Sequence, residues 1–256
     1  MNRSQTSSEA AAIVDRLQRT SHDVFAKVVP TLQAGMTEVE IAVLLKNEFA
    51  RRGYIEFWYD VPIFVMIGAE RLLIDIITND YGRKAPSEKK LRNGDVIYID
   101  LHPVDSQTKQ WGDWNSMAVF HPRPGIDDEQ VAFLDEVRTI HRSVIDTLTG
   151  DTTAGELVEQ YLQEYADHRI SVVWDHRKNF GHTMHQGPKL ESKRFFLTEG
   201  NPEKLGSHIW AVEPSGFRKK KNSEGLLVGR FEECIWVPES GKAKLLGSDI
   251  VLPLSF

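Results

Sequence analysis

The stretch that decides the fold is Leu91–Phe120, LRNGDVIYIDLHPVDSQTKQWGDWNSMAVF. Two extended runs stand in it, separated by the turn-forming residues Pro103, Asp105, Ser106 and Gln107. Side chains alternate along a strand, so in the first run, Asp95–Leu101, Val96, Tyr98 and Asp100 share one face and Ile97, Ile99 and Leu101 the other. The second run, Trp111–Phe120, puts Asp113, Asn115, Met117 and Val119 together. Paired as a hairpin, the runs bring two acids into an apolar surround. Burying two carboxylates side by side costs several kcal/mol unless a cation neutralises them, so the pattern asks for a metal ion or an arginine.

Later segments offer further donors: His182 in NFGHTMHQGP, Glu213 at the end of HIWAVE, and Glu232 in GRFEECIWV. With Asp100 and Asp113 they make four carboxylates and one imidazole, an oxygen-rich set suited to two divalent ions that share bridging carboxylates. Each residue alone has an ordinary explanation. An Asp at a strand end is usually a turn residue, His182 has His176 and His185 as rivals, and alternation cannot choose between Glu232 and Glu233. Asn115 competes with Asp113, which is preferred because an ionised carboxylate bridges two cations and a neutral amide does so poorly. Cys234 reads as a small buried hydrophobe.

Taken in order, LRNGDVIYID, WGD, FGH, AVEP and GRFEECIWVPESG resemble the motif series of the pita-bread metallopeptidases, the group of methionine aminopeptidase, aminopeptidase P, prolidase and creatinase. The likeness runs from AGMTEVEIA near Gly35 to the end and has the shape of short aminopeptidase P-like members. It implies an α+β pita-bread fold, with pseudo-duplicated halves forming a curved antiparallel sheet covered by helices. It also implies that Asp100, Asp113, His182, Glu213 and Glu232 are metal ligands, Asp113 and Glu232 bridging. The expected cofactors are two divalent ions (Mn, Fe, Co or Zn). The expected reaction is metal-assisted hydrolysis of a C–N bond in a small peptide or amino-acid derivative, with Glu213 assisting proton transfer and His185 steadying the tetrahedral intermediate. Where the relatives carry a histidine ahead of the first acidic strand, this chain offers Tyr81 or Asp60, and the basic residue that follows their second Asp is absent. That altered proton-handling shell keeps two alternatives open, a repurposed iron-pair enzyme of lyase or oxidative type and a non-catalytic binding module. The resemblance further points to a homodimer.

With 256 residues, of which 41% are hydrophobic, the chain can bury a substantial core, and we expect one domain, 1–256, with pseudo-repeats at roughly 8–122 and 123–256. The net charge of −6 gives no reason to expect nucleic acid. A single cysteine, no membrane-length apolar run and no signal-like leader lead us to expect a cytoplasmic protein that does not engage a membrane.

The helix signals are local. Thr6 with Glu9, Thr37 with Glu40 and Thr153 with Glu156 have capping-box spacing, and Asp127 is placed to cap a helix running to Gly150. Three extended runs are expected at 55–59, 62–67 and 72–77. The Arg218–Lys221 run reads as a solvated hairpin tip, with an anionic substrate as the other use for its charge.

Overall fold

The computed structural model describes residues 7–78, 85–124, 127–174, 178–184, 194–221, 224–247 and 252–256. Helix α1 (Ser7–Val28) runs into a single 3-10 turn, Val29–Thr31, where Pro30 ends the regular pattern. Helix α2 (Glu38–Arg51) opens on the expected capping box, with Thr37 accepting from the Glu40 amide and Glu40 accepting from the Thr37 amide. Thr6 lies outside the described residues, so its capping box is not among the observed ones.

Of the three expected extended runs, the middle one forms strand β1 (Ile63–Ile67). Residues 55–59 contribute only a bridge from Phe57 to Pro103. Residues 72–77 lie in helix α3 (Ala69–Thr78), which corrects the strand expectation. The helical period explains the difference: Leu72 and Ile76, four apart, are buried, whereas Ile74 and Ile77 face outward, a sorting that strict alternation would not produce. Gly68, at φ 96°, makes the turn from β1 into this helix.

Strands β2 (Val96–Leu101) and β3 (Trp114–Val119) complete the antiparallel sheet β1-β2-β3, with Asp100 directly opposite Asn115. The alternation read from sequence holds. Val96, Tyr98, Met117 and Val119 join one core, and Ile97, Ile99, Leu101, Trp114 and Ala118 join another on the opposite face. Each buried Ile or Leu contributes about 1.5–3 kcal/mol, and the set together offsets the several kcal/mol of placing an acid at position 100.

Helices α4 (Asp128–Thr147) and α5 (Ala154–Asp167) follow. The Thr153–Glu156 box is present, but Asp127 holds the N-cap position without capping; its carboxylate binds the Arg123 amide and guanidinium instead. The remaining strands are β4 (Ser171–Val172), β5 (Gly181–Thr183), β6 (His208–Val212), β7 (Ser215–Lys219), β8 (Leu226–Arg230), β9 (Glu233–Val237) and β10 (Lys244–Leu245). They form a sheet ordered β10-β9-β6-β5 and a sheet ordered β4-β7-β8. Arg218 is not a solvated tip residue: it makes two bonds to Glu136, at 2.9 and 3.0 Å, and lies over the Phe133 ring. A reciprocal backbone bridge between Asn115 and Glu232 joins β3 to the β8–β9 link, and the sheets meet there. No helix among the described residues is long and apolar enough to cross a membrane.

Candidate metal centre

The donors cluster at the ends of strands. Asp100 lies within β2 and His182 within β5, while Asp113 stands one residue before β3, Glu213 one after β6 and Glu232 one before β9. Strand ends suit them, because the ladder fixes the backbone while the side chain leaves the pleat.

Local structure fixes each donor. The Asp113 carbonyl accepts from Gln18 Nε2 of α1 at 2.7 Å and from Cys234 Sγ at 3.3 Å. Gly181, at φ 137°, lets β5 approach β6 so closely that a Cβ there would collide with the Ala211 carbonyl oxygen, and the next residue is His182. Trp111 is buried, stacks on Trp58 at 4.4 Å and lies 5.9 Å from the His182 ring.

The structure brings together all five residues expected to be ligands. His182 Nε2 stands 3.5 Å from Asp113 Oδ2, and the Asp113 and Glu232 carboxyl groups act on each other electrostatically. Asp100 and Glu213 are near enough to repel both. Asp100, Asp113, His182 and Glu232 are buried and Glu213 is half-buried. Burial raises the pKa of Asp113 and of Glu232 well above the carboxylate range, and each is pushed further by neighbouring acids. Two more expectations, Tyr81 and His185, lie outside the described residues, and the alternative Asp60 is exposed.

Four further residues complete the surroundings, of which only Asn115 was a candidate from sequence. Tyr98 donates its hydroxyl to Asp100 Oδ2 at 2.9 Å. Asn115, the rival of Asp113, donates its amide to Glu232 Oε2 at 2.6 Å. Arg230 pairs with Glu213; burial opposes its charge, yet Tyr98, Glu213, Glu232 and Asp100 around it raise its pKa well above normal. His102 places Nε2 2.8 Å from Asp100 Oδ1 and 3.6 Å from Asp113 Oδ1. His102 follows β2 by one residue, two positions after Asp100. Glu233 points away, to Arg142 at 3.0 Å.

The donor set fits divalent cations. Against the four acids stand two guanidinium groups, Arg230 beside Glu213, Glu232 and Asp100, and Arg194, which acts on Asp113 and lies over the Trp111 ring, so negative charge remains in a largely buried site. Without a cation, burial and the neighbouring acids favour the protonated forms of Asp113 and Glu232.

The sequence model of metallopeptidase family M24 matches residues 12–239. The chain belongs to metallopeptidase family M24. Solved M24-like structures share its fold at low identity. The X-Pro aminopeptidase of Thermotoga maritima is 18% identical with a TM-score of 0.69, the match covering 95% of this chain and 62% of that one. The prolidase of Pyrococcus horikoshii is 16% identical with a TM-score of 0.71, covering 96% and 64%. The methionine aminopeptidase of Rickettsia prowazekii is 15% identical with a TM-score of 0.69, covering 96% of this chain and 100% of that one. This M24 chain thus spans less than two thirds of the first two relatives and the whole of the third. No curated protein matches it by sequence alone.

Proposed function

We propose that this protein is a metal-dependent hydrolase of a C–N bond in a small peptide or amino-acid derivative, of Xaa-Pro aminopeptidase type. The observation that carries the reading is the convergence of buried Asp100, Asp113 and Glu232 with His182 and Glu213. In it, Asp100, Asp113, His182, Glu213 and Glu232 would hold two divalent ions. What such ions supply when bound is a polarised carbonyl and a hydroxide near neutral pH.

The chain's own residues do the rest. Tyr98 keeps one oxygen of Asp100 occupied and so orients the other. Asn115 does the same for Glu232. Glu213, with 18% of its side chain exposed against 4% for Asp113, is the acid most open to substrate and takes the proton at its carboxylate, with Arg230 holding it in place. His185 steadies the oxyanion and Tyr81 stands in for the relatives' second histidine. Residues 1–256 work as one domain whose donors come from both halves, 8–122 and 123–256. A homodimer, as the family resemblance implies, acting in the cytoplasm without nucleic acid or membrane, completes the proposal; the mildly acidic composition and single cysteine support the last two points and the compartment.

The test is hydrolysis of Xaa-Pro and N-terminal Met peptides by chelator-stripped protein reloaded with Mn, Fe, Co or Zn. Turnover with at least one metal is expected; metal binding without turnover on any peptide would sink the peptidase reading. A second reading, an iron pair turned to lyase or oxidative chemistry on an amino-acid derivative, is favoured by the additional imidazole of His102. Oxygen consumption with such substrates separates the two.

A further inference from the structure

We propose that His102 is itself a metal ligand, so that Asp113 bridges two ions each carrying one imidazole, His102 on one and His182 on the other. The inference rests on the reading that the site holds divalent ions, and it adds a donor and a metal preference.

The two oxygens of Asp113 face different histidines. Oδ1 lies 3.6 Å from His102 Nε2, and Oδ2 lies 3.5 Å from His182 Nε2. Both gaps are too long for a hydrogen bond. Two donors that share one ion at about 2.1 Å stand about 3 to 3.5 Å apart, so both gaps have the size of a ligand–ligand edge. On its other side, His102 Nε2 is 2.8 Å from Asp100 Oδ1, and one ligand atom from each of Asp100, His102 and Asp113 lies within 4.8 Å of the others.

The His102 ring is held for this role. It is 1% exposed, its centroid stands 4.6 Å from Tyr59 and 4.9 Å from Phe64, and the Trp58 amide donates to its backbone carbonyl at 3.0 Å. Its Nδ1 is buried with no hydrogen-bond partner among the described residues. Its Nε2 is set among carboxylate oxygens of Asp100 and Asp113.

The chemical consequence concerns which metal is retained. An all-oxygen shell suits Mg and Mn, whereas an imidazole on each ion suits Fe, Co and Zn. The ion beside Asp100 therefore prefers the borderline metals because of His102.

Cobalt(II) is the probe. The stripped full-length protein is loaded with Co(II), its metal content measured, and the paramagnetically shifted imidazole N–H resonances counted by NMR with isotope-labelled histidine. Two shifted N–H signals from the described histidines are expected in the wild type, one lost in His102→Ala and the other in His182→Ala. His102→Ala should also move a Zn-against-Mn competition toward Mn by about tenfold or more. Full cobalt loading with a signal pattern unchanged by His102→Ala would overturn the inference and leave the metal reading standing. Failure of the wild type to bind cobalt would overturn both. The wild-type signal count needs no variant, so a poorly folding His102→Ala does not rescue the idea.

Discussion

Replacing Asp113 with Asn should stabilise the metal-free protein and weaken the metal-loaded one. The structure sets the scale. One oxygen of Asp113 lies within 4.8 Å of one from Asp100. Two unit charges at that separation repel by about 3 kcal/mol at an effective dielectric constant of ~20, with Glu213 adding to the repulsion. Part of this is already relieved by proton uptake, so the amide should raise stability in chelator by about 1–3 kcal/mol, or roughly 2–10 °C in Tm. The pH dependence follows from the sign of the shift. A carboxyl whose folded pKa is raised contributes stability below its unfolded pKa and loses it as pH rises through the folded value. The advantage of Asp113→Asn is therefore absent near pH 4 and grows toward neutral and alkaline pH. At a hundred-fold excess over Kd, each ion adds about 2.7 kcal/mol to the wild type, and the variant should forfeit at least one such increment. Urea titrations with chelator and with Co(II) read all of this. A variant less stable than wild type in chelator, yet gaining the full metal increment, would refute the picture of mutually repelling acids quenched by cations.

The remaining predictions concern neighbouring groups. His22 and His141 are buried, and desolvation lowers their pKa to about 4 and about 3. Since the unfolded chain takes up their protons first as pH falls below ~6.5, each should remove about 2 kcal/mol of stability by pH 5, and denaturant midpoints that stay flat from pH 7.5 to 5 in Asp113→Asn would contradict this. Tyr98→Phe deletes the hydroxyl that orients Asp100, and a titration should show metal affinity falling by about 10–100-fold while far-UV circular dichroism stays unchanged. Asn115→Ala removes the amide that orients Glu232 but should retain metal at full stoichiometry, whereas Asp113→Ala should abolish binding; the reverse pair of results by elemental analysis would exchange their roles. Thr153→Ala breaks the capping box of α5 and should cost about 1 kcal/mol in a urea titration, with metal content untouched.

What could be read from sequence follows from which signals are local. The capping boxes at Thr37 and Thr153 are self-contained four-residue devices, and both are present. The alternation around Asp100 was legible because both faces of β2 are packed against cores, so every position reports its side. Residues 72–77 were misread because a short, mostly apolar run satisfies a strand template as readily as a helix one, and the arbiter, exposed Ile74 and Ile77, is a tertiary fact. Asp127 shows the same limit: the position is right, but Arg123 claims the carboxylate. The gathering of Asp100, Asp113, His182, Glu213 and Glu232 came from motif order, since no periodicity links residues so distant in the chain. Arg230 and His102 were missed because each reads as background until its distance to an acid is known.

Asp113, Glu213, Glu232 and His102 all stand a single residue outside a strand, on its threshold. A substitution at such a doorstep exchanges one donor for another without breaking a ladder bond or emptying a core. The scaffold is thus free to change its chemistry at those four places, while Asp100, walled into β2 with Phe64 and Asn115 beside it, is the anchor around which any successor reaction would have to be arranged.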